Sequence, residues 1–183
     1  MHLGSRRAFT AVELMNFLGL AAVLSAVGMF ALARYVRHAK TVEAVSSVTR
    51  LASNAAEFYD LSDGTQPAAA SPAAVHAMRH FPLSSAAPVP SEELSVRGCR
   101  YQSNLADWSV SPWRELHFTM VEPQYYRYEF ASAGAGATAK ATVTAQGDLD
   151  GDGVRSSYAL DIVPDQGLAA SVSKSMTKTD PED

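Results

Sequence analysis

The chain has 183 residues, enough for one domain with its own core and too few for two domains of ordinary size. Its formal net charge of −4 argues against a nucleic-acid partner, and its single cysteine, Cys99, excludes an intrachain disulfide and is interpreted as an inert thiol. No G-x-S-x-G, P-loop or H-E-x-x-H motif occurs, so the sequence gives no reason to expect an enzyme.

An uncharged apolar segment occupies residues 14–33. At about 20 residues it is long enough to cross the hydrocarbon core of a bilayer as a helix. Arg6 and Arg7 precede it, Glu13 stands at its edge, and a second basic group begins at Arg34. Because basic residues flank both ends, counting them does not decide the orientation in the membrane. We expect residues 9–33 to form the transmembrane and polymerisation half of a longer helix.

The junction before this segment reads Arg-Arg-Ala-Phe-Thr-Ala-Val-Glu-Leu over residues 6–14. It combines a basic leader ending in a small residue, a phenylalanine followed by threonine, and a glutamate four residues after the phenylalanine. This pattern resembles the N-terminal signal of type IV pilins and type II secretion pseudopilins, with Ala8 where the family usually has glycine. The resemblance implies a leader of residues 1–8, cleavage between Ala8 and Phe9 by a prepilin peptidase, and methylation of Phe9.

Glu13 also has a role that the resemblance implies. A carboxylate at a membrane edge is costly, which makes it a functional candidate with an expected partner. In the family that partner is the N-terminal amine of a neighbouring subunit, so Phe9 and Glu13 would together fix the register of adjacent helices during assembly. The alternative is that Glu13 merely caps the helix, since anions favour helix N-termini.

The same N-terminus also resembles a twin-arginine export signal, through Arg6 and Arg7. Ala31-Leu32-Ala33 supplies a small-x-small cleavage site, so the mature protein would then be a soluble exported binding domain beginning at Arg34. Against this alternative, the apolar segment is longer than a typical removed signal, and the helical pattern continues past it.

Residues 34–61 predict an amphipathic continuation of the helix. No proline occurs between Phe9 and Leu61, so a single helix of roughly 53 residues, about 80 Å long, is predicted. Apolar residues recur every three or four positions and form a stripe that we expect to pack against a folded domain. The stripe comprises Val42, Val45, Val48, Leu51 or Ala52, Ala55, and Phe58 or Tyr59.

Residues 62–170 are predicted to form a globular head. A proline-rich connection over 62–90 carries a short helix at 73–80, and Trp108 and Trp113 are predicted to fill the core. Segments with period-two alternation at 116–120, 125–130, 140–144 and 157–163 predict three or four antiparallel strands. We therefore expect an α+β, pilin-like fold with the sheet on the helix stripe, followed by a flexible tail over 171–183.

Between the last two predicted strands lies an acidic, glycine-rich loop. Aspartates at alternate positions, followed by glycine, place three carboxylates around one small volume, which suits a calcium ion. The pattern lacks the glutamate of a complete EF-hand loop, because Ala159 stands at the twelfth position. The alternative is a turn with solvated aspartates. The candidate ligands are Asp148, Asp150, Asp152, the Val154 carbonyl and the Ser156 hydroxyl.

The resemblance implies a structural subunit, a major or minor pilin of a type IV pilus-like filament, with a type II secretion pseudopilin as the alternative. The implied partners are other copies of the chain in a helical filament, the prepilin peptidase, an inner-membrane assembly platform and membrane lipid. The implied location is a bacterial inner-membrane pool with a periplasmic head, and a cell-surface pilus or periplasmic pseudopilus after assembly.

Overall fold

The computed structural model of this protein describes residues 9–62, 72–91, 96–165 and 169–180. The predicted leader with Ala8, residues 63–71 of the connection and residues 181–183 of the tail lie outside the described residues. The chain divides into two compact units, Met1–His38 and Ala39–Asp183. The second unit thus includes the part of the amphipathic helix from Ala39 onward as well as the predicted head.

The long helix α1 runs from Ala11 to Leu61, as the absence of proline predicts. It ends where Ser62 turns back on the last turn of the helix. The Ser62 backbone N–H and hydroxyl both donate to the Tyr59 carbonyl, at 3.3 and 2.7 Å. These bonds satisfy a carbonyl that the helix end would otherwise leave without a partner.

The second half of α1 packs on the head through a stripe that lies one position earlier than predicted at its start. Val42, expected in the core, is 60% exposed, whereas Thr41 and Ala44 are buried. Thr41 and Ser47 carry hydroxyls that hydrogen-bond to Tyr158 and Tyr128 of the sheet, a contact that a valine could not make. The buried residues of α1 are Thr41, Ala44, Ser47, Val48, Leu51, Ala52, Ala55 and Tyr59.

The head contains one antiparallel sheet of five strands, which confirms the α+β fold class. The strands are β1 (Arg127–Ala133), β2 (Lys140–Gly147), β3 (Ser156–Pro164), β4 (Ala170–Val172) and β5 (Thr177–Thr179). The first three form a meander in which Phe130, Val143 and Leu160 lie in register and are buried. Their alternate residues bury one face of the sheet against α1, as the period-two pattern predicts.

Part of the predicted tail, residues 171–183, lies in two short strands, β4 and β5. β4 pairs with Ile162–Pro164 of β3, and β5 pairs with Ser157–Ala159, so both short strands lie along the same edge of β3. The opposite edge of β3 pairs with β2. Backbone hydrogen bonds, which do not depend on side-chain hydrophobicity, order this segment.

Residues 116–120, predicted as a strand, do not form one: the chain turns at 116–117 and has no regular structure over 118–120. The Leu116 and Phe118 backbone N–H groups donate to Pro112 and Trp113, both at 2.9 Å, and not to a neighbouring strand. His117 has a φ of 47°, a left-handed conformation that interrupts an extended strand. Leu116 and Phe118 are fully buried, as the period-two pattern predicts. Their alternate burial comes from local turns and not from a strand.

This turn contributes to the aromatic centre of the head. Trp108 packs edge-on against Trp113 and Phe118, each with ring centroids 5.1 Å apart, and Tyr128 closes the cluster. Both tryptophans are buried, as predicted, and Trp108 Nε1 donates to Ser103 Oγ at 2.8 Å. The indole N–H of Trp108 thus has a hydrogen-bond partner although the ring is buried, which avoids the cost of an unsatisfied polar group.

The predicted short helix is present as α2 (Pro72–Met78). The segment after it covers the outer edge of β1. Val89 and Tyr128 exchange two backbone hydrogen bonds of 2.9 Å, and the Ser85 N–H donates to Phe130 at 2.8 Å. The proline-rich connection thus protects a sheet edge that would otherwise be open to pairing with another chain.

Candidate functional site

The first candidate site is the start of α1, where Thr10 and Glu13 hold each other. The Thr10 backbone N–H and hydroxyl both donate to Glu13 Oε2, at 2.8 and 2.9 Å, and the Glu13 N–H lies 3.3 Å from Thr10 Oγ1. This reciprocal arrangement is a capping box, which satisfies N–H groups that the first helical turn leaves open. The sequence has the T-x-x-E spacing of a capping box at residues 10–13. Glu13 Oε1 takes part in neither bond from Thr10.

The apolar segment after this cap is exposed along its length. Every large apolar side chain at positions 14–32 is more than half exposed. The Ser25 hydroxyl donates to the Ala21 carbonyl at 2.7 Å, so its hydrogen bond is made within the helix. Among the described residues, α1 is the helix that is long and apolar enough to cross a membrane. This segment could therefore serve as a membrane anchor.

The second candidate site is the acidic loop between β2 and β3. It closes a hairpin whose last register pair is Gly147 and Ser156. Gly151 and Gly153 have φ angles of +83° and +99°, which residues with a side chain rarely adopt. The backbone amides of Asp152 and Val154 donate to the carboxylates two residues earlier, at 3.3 and 2.7 Å. These bonds wind the loop tightly enough to collect its carboxylates on one side.

Asp148 is the buried member of this loop. Its Oδ1 accepts a 2.6 Å bond from the Gly151 N–H, and its Oδ2 accepts a 2.9 Å bond from the Gly153 N–H. Arg97 Nε lies 3.4 Å from the same Oδ2. A carboxylate offers about four lone-pair directions, so these three donors leave Asp148 able to contact an ion as well.

The structure brings together three of the five predicted metal ligands. One carboxylate oxygen from each of Asp148, Asp150 and Asp152 lies within 4.8 Å of the others, so the cluster could hold a metal ion. The Ser156 hydroxyl is buried, donates to the Gly147 carbonyl at 3.1 Å and lies 3.4 Å from the Tyr126 hydroxyl, at the closed end of the hairpin. Ser156 and the Val154 carbonyl stay predicted ligands.

The sequence did not indicate the contacts of two further residues, Arg97 at the acidic loop and Glu43 on α1. Arg97 reaches the loop from a distant segment, donates from Nε to the Gly151 carbonyl at 3.2 Å and pairs with Asp148. Glu43 lies half-buried on α1 and accepts bonds from the Tyr125 N–H and the Tyr128 hydroxyl. Burial raises the pKa of Glu43, against the lowering effect of these hydrogen bonds.

No protein-family model matches the chain, and comparison with curated proteins and with solved structures gives no significant match either.

Proposed function

We propose that this chain is a structural subunit of a type IV pilus-like filament, a major or minor pilin, built from a membrane pool through its N-terminal helix. The observation that carries the proposal is the continuity of α1. One uninterrupted helix joins the exposed apolar segment to the stripe that packs on the sheet. A helix of this kind can anchor a subunit in lipid and afterwards pack against copies of itself.

The Thr10–Glu13 cap is compatible with the assembly role proposed for Glu13. Cleavage before Phe9 by a prepilin peptidase would create an amine next to the cap, and that amine would pair with Glu13 of a neighbouring subunit. Both hydrogen bonds from Thr10 end on Oε2, so an incoming amine can contact Oε1 without breaking the cap. The pair would neutralise two charges in apolar surroundings and set the stagger of the helices.

In this proposal the head lies in the periplasm before assembly and on the cell surface afterwards. Extraction from the membrane requires an inner-membrane assembly platform. A type II secretion pseudopilin is the second candidate function, because the junction at residues 6–14 fits both kinds of subunit equally. A twin-arginine-exported domain beginning at Arg34 is the third candidate, and it requires cleavage in the middle of α1.

The mature N-terminus tests the proposal. The chain, expressed with a prepilin peptidase and purified from membranes, is expected to begin with N-methylated Phe9 by intact-mass and N-terminal peptide analysis. An N-terminus at Met1 or at Arg34 would contradict the filament proposal.

Assembly gives a second test. Glu13→Ala is expected to insert in the membrane and yield no filaments in a shearing assay. Glu57→Ala, which removes an exposed carboxylate from the same helix, is the matched control and is expected to assemble. Normal filaments from Glu13→Ala would rule out the register role.

We also propose that the acidic loop binds calcium through Asp148, Asp150 and Asp152, with the Val154 carbonyl and the Ser156 hydroxyl as further ligands. Three carboxylate oxygens within 4.8 Å of one another repel unless a cation or solvent separates them, and hard cations prefer oxygen ligands. The ion would stabilise the β2–β3 hairpin in a head whose one cysteine permits no internal disulfide.

A further inference from the structure

A groove of about 480 Å³ lies between the segment that covers the outer edge of β1 and the aromatic centre of the head. This volume is in the range of about 300–1,000 Å³ that is typical of small-ligand sites. Apolar residues, among them Pro88, Val89, Pro90 and Val110, make up most of its lining. Of the described residues that line it, Asp107 is the one with a charged side chain.

Only one oxygen of the Asp107 carboxylate is engaged by the described part of the chain. The Tyr101 hydroxyl donates to Oδ2 at 2.8 Å, and no other described group bonds to the carboxylate. Asp107 belongs to a single 3-10 turn, Leu105–Trp108, and its own N–H donates to the Asn104 carbonyl at 3.0 Å. The backbone and the tyrosine thus hold the carboxylate in position, and its lone pairs on Oδ1 stay open to a donor.

Three arginines belong to the segments around the groove, and none of them neutralises Asp107. Arg100, Arg114 and Arg127 are not among the described lining residues, and none forms an ion pair with this carboxylate. Arg127 donates to two backbone carbonyls at 3.1 Å, and Arg114 lies 4.0 Å from the carboxylate of Glu115. Within the described residues, the groove therefore contains a carboxylate that has a hydrogen-bond donor but no cationic partner.

The walls of the groove are fixed by contacts with the buried core. The Val89 carbonyl accepts a 2.9 Å bond from the Tyr128 N–H and a 3.1 Å bond from Nε2 of the fully buried Gln124. Tyr101 and Gln124 exchange two backbone hydrogen bonds of 2.9 Å. Walls that are ordered in this way lose little conformational freedom when a ligand binds.

The polar groups of the lining favour a positively charged ligand over a sugar. Trp113 is buried, so its ring offers no open face on which a sugar could stack. The Ser111 hydroxyl donates to Glu115 at 2.8 Å, and the Tyr101 hydroxyl donates to Asp107, so both of these donors are used. A carboxylate accepts hydrogen bonds and donates none, and ammonium and guanidinium groups are its strongest partners.

We propose that this groove binds an organic cation, an ammonium or guanidinium group on an apolar stem. The charged end contacts Oδ1 of Asp107, and the stem packs along Pro88, Pro90 and Val110. A partly enclosed ion pair is stronger than one on an open surface, and burial of the stem adds apolar contact. The cation has two possible sources, a free amine or the lysine or arginine side chain of a polypeptide. The inference goes beyond the filament proposal and does not depend on assembly.

Titration of the full-length chain in micelles of an uncharged detergent with butylamine hydrochloride tests this proposal. Sodium chloride keeps the ionic strength constant, and the indole Nε1–H resonances are followed by NMR. We expect a saturable shift at Trp113, which lines the groove, and a smaller one at Trp108, which does not. Butanol lacks the charge and methylamine lacks the stem, so both are expected to bind at least several-fold more weakly. Butanol that binds as tightly as butylamine, a shift that never saturates, or saturable binding of glucose but not of butylamine would overturn the proposal.

Variants make the test specific to Asp107. Asp107→Asn keeps an acceptor for the Tyr101 hydroxyl but loses the charge, and is expected to weaken butylamine binding roughly tenfold. Glu129→Gln removes an exposed carboxylate outside the groove and is expected to leave binding unchanged. Melting curves verify that both variants are folded, and unchanged binding in Asp107→Asn would refute the site. N-acetyl-lysine N-methylamide, titrated in parallel, identifies the source: tighter binding than butylamine indicates a polypeptide side chain, and weaker binding indicates a free amine.

Discussion

The Tyr128 hydroxyl of β1 donates a 3.0 Å hydrogen bond to Glu43 Oε1 of α1. The Tyr125 backbone N–H donates to both oxygens of the same carboxylate, at 3.1 and 3.2 Å. Glu43 thereby fixes the position of the helix against the start of the sheet. Lys40, one turn earlier, lies 4.4 Å from the centre of the Tyr125 ring. A polar contact between helix and sheet thus lies beside the apolar stripe.

Removing the Glu43 carboxylate is expected to destabilise the head. Glu43→Ala leaves the Tyr128 hydroxyl and the Tyr125 N–H without their acceptor, and an unsatisfied buried donor costs about 1–3 kcal/mol. The free energy of unfolding, measured with urea on the full-length chain in detergent, checks this. Glu57→Ala, at an exposed position of α1, is the control. Equal loss in both variants would contradict the role assigned to Glu43.

Stability should also depend on pH through Glu43. Burial raises the pKa of this carboxyl, so the folded chain holds the proton more tightly than the unfolded chain does. That contribution to stability is fully present below the ordinary carboxyl pKa and is lost as the pH rises through the raised value. Glu43→Gln has no such proton to lose.

The melting temperature of the wild-type chain, relative to that of Glu43→Gln, is therefore expected to fall as the pH rises from the ordinary glutamate pKa, about 4.3, through the raised pKa of Glu43. Parallel melting curves of the two chains across this range measure the difference. A difference that stays constant, or that grows with pH, would contradict the direction of the shift.

The aromatic cluster is expected to dominate core stability. Trp108→Ala removes a side chain that is 1% exposed and touches Trp113 and Phe118, and such truncations cost about 3–5 kcal/mol. Leu83→Ala, at a residue 78% exposed, is expected to change stability by less than about 0.5 kcal/mol. Urea unfolding followed by near-ultraviolet circular dichroism compares the two, and similar costs would contradict the assignment of the core.

Calcium is expected to raise the melting temperature of the full-length chain in detergent at millimolar concentration. Asp152→Asn should abolish most of that increase with little effect in the absence of calcium, because Asp152 is exposed. Asp148→Asn should also lower the melting temperature without calcium, since Asp148 accepts two backbone bonds and contacts Arg97. Glu129→Gln, on the exposed face of the sheet, is the control. A calcium effect that survives in Asp152→Asn would exclude the loop.

Substitutions at Thr10 distinguish the capping role of Glu13 from its proposed role in assembly. Thr10→Val removes the hydroxyl bond to Glu13 and weakens the cap, at a cost of about 0.5–2 kcal/mol of helix stability. It keeps the Glu13 carboxylate, so filaments are expected to form in a shearing assay while hydrogen exchange at the first helical turn becomes faster. Thr10→Ser should behave as the wild type in both measurements. Loss of filaments in Thr10→Val as well as Glu13→Ala would assign the role of Glu13 to the cap.

Long periodic segments could be predicted from the sequence because their pattern is local. α1, β2 and β3 follow from a helix without proline and from strands with strict alternation. Residues 116–120 show the limit of this reasoning. Alternate burial of Leu116 and Phe118 has the period of a strand, but the backbone bonds that decide the conformation are made to Pro112 and Trp113.

The acidic loop could be predicted from the spacing of its aspartates, and the structure places their carboxylates close together. The role of Arg97 could not, since its contact with Asp148 depends on how a distant segment folds. The hydrogen bonds of the Ser156 hydroxyl to the Gly147 carbonyl and the Tyr126 hydroxyl could not be predicted either, because they depend on how β1 and β3 come together in the sheet.

The pairing of β4 and β5 along one side of β3 has a practical consequence for engineering. A chain cut before Ala170 would uncover the two stretches of β3 that these strands pair with, Ser157–Ala159 and Ile162–Pro164, and expose backbone N–H and C=O groups on that side. Such a truncated head should recruit other strands and aggregate. Affinity tags and fluorescent fusions are therefore better joined after Thr179, because β4 and β5 then stay paired with β3.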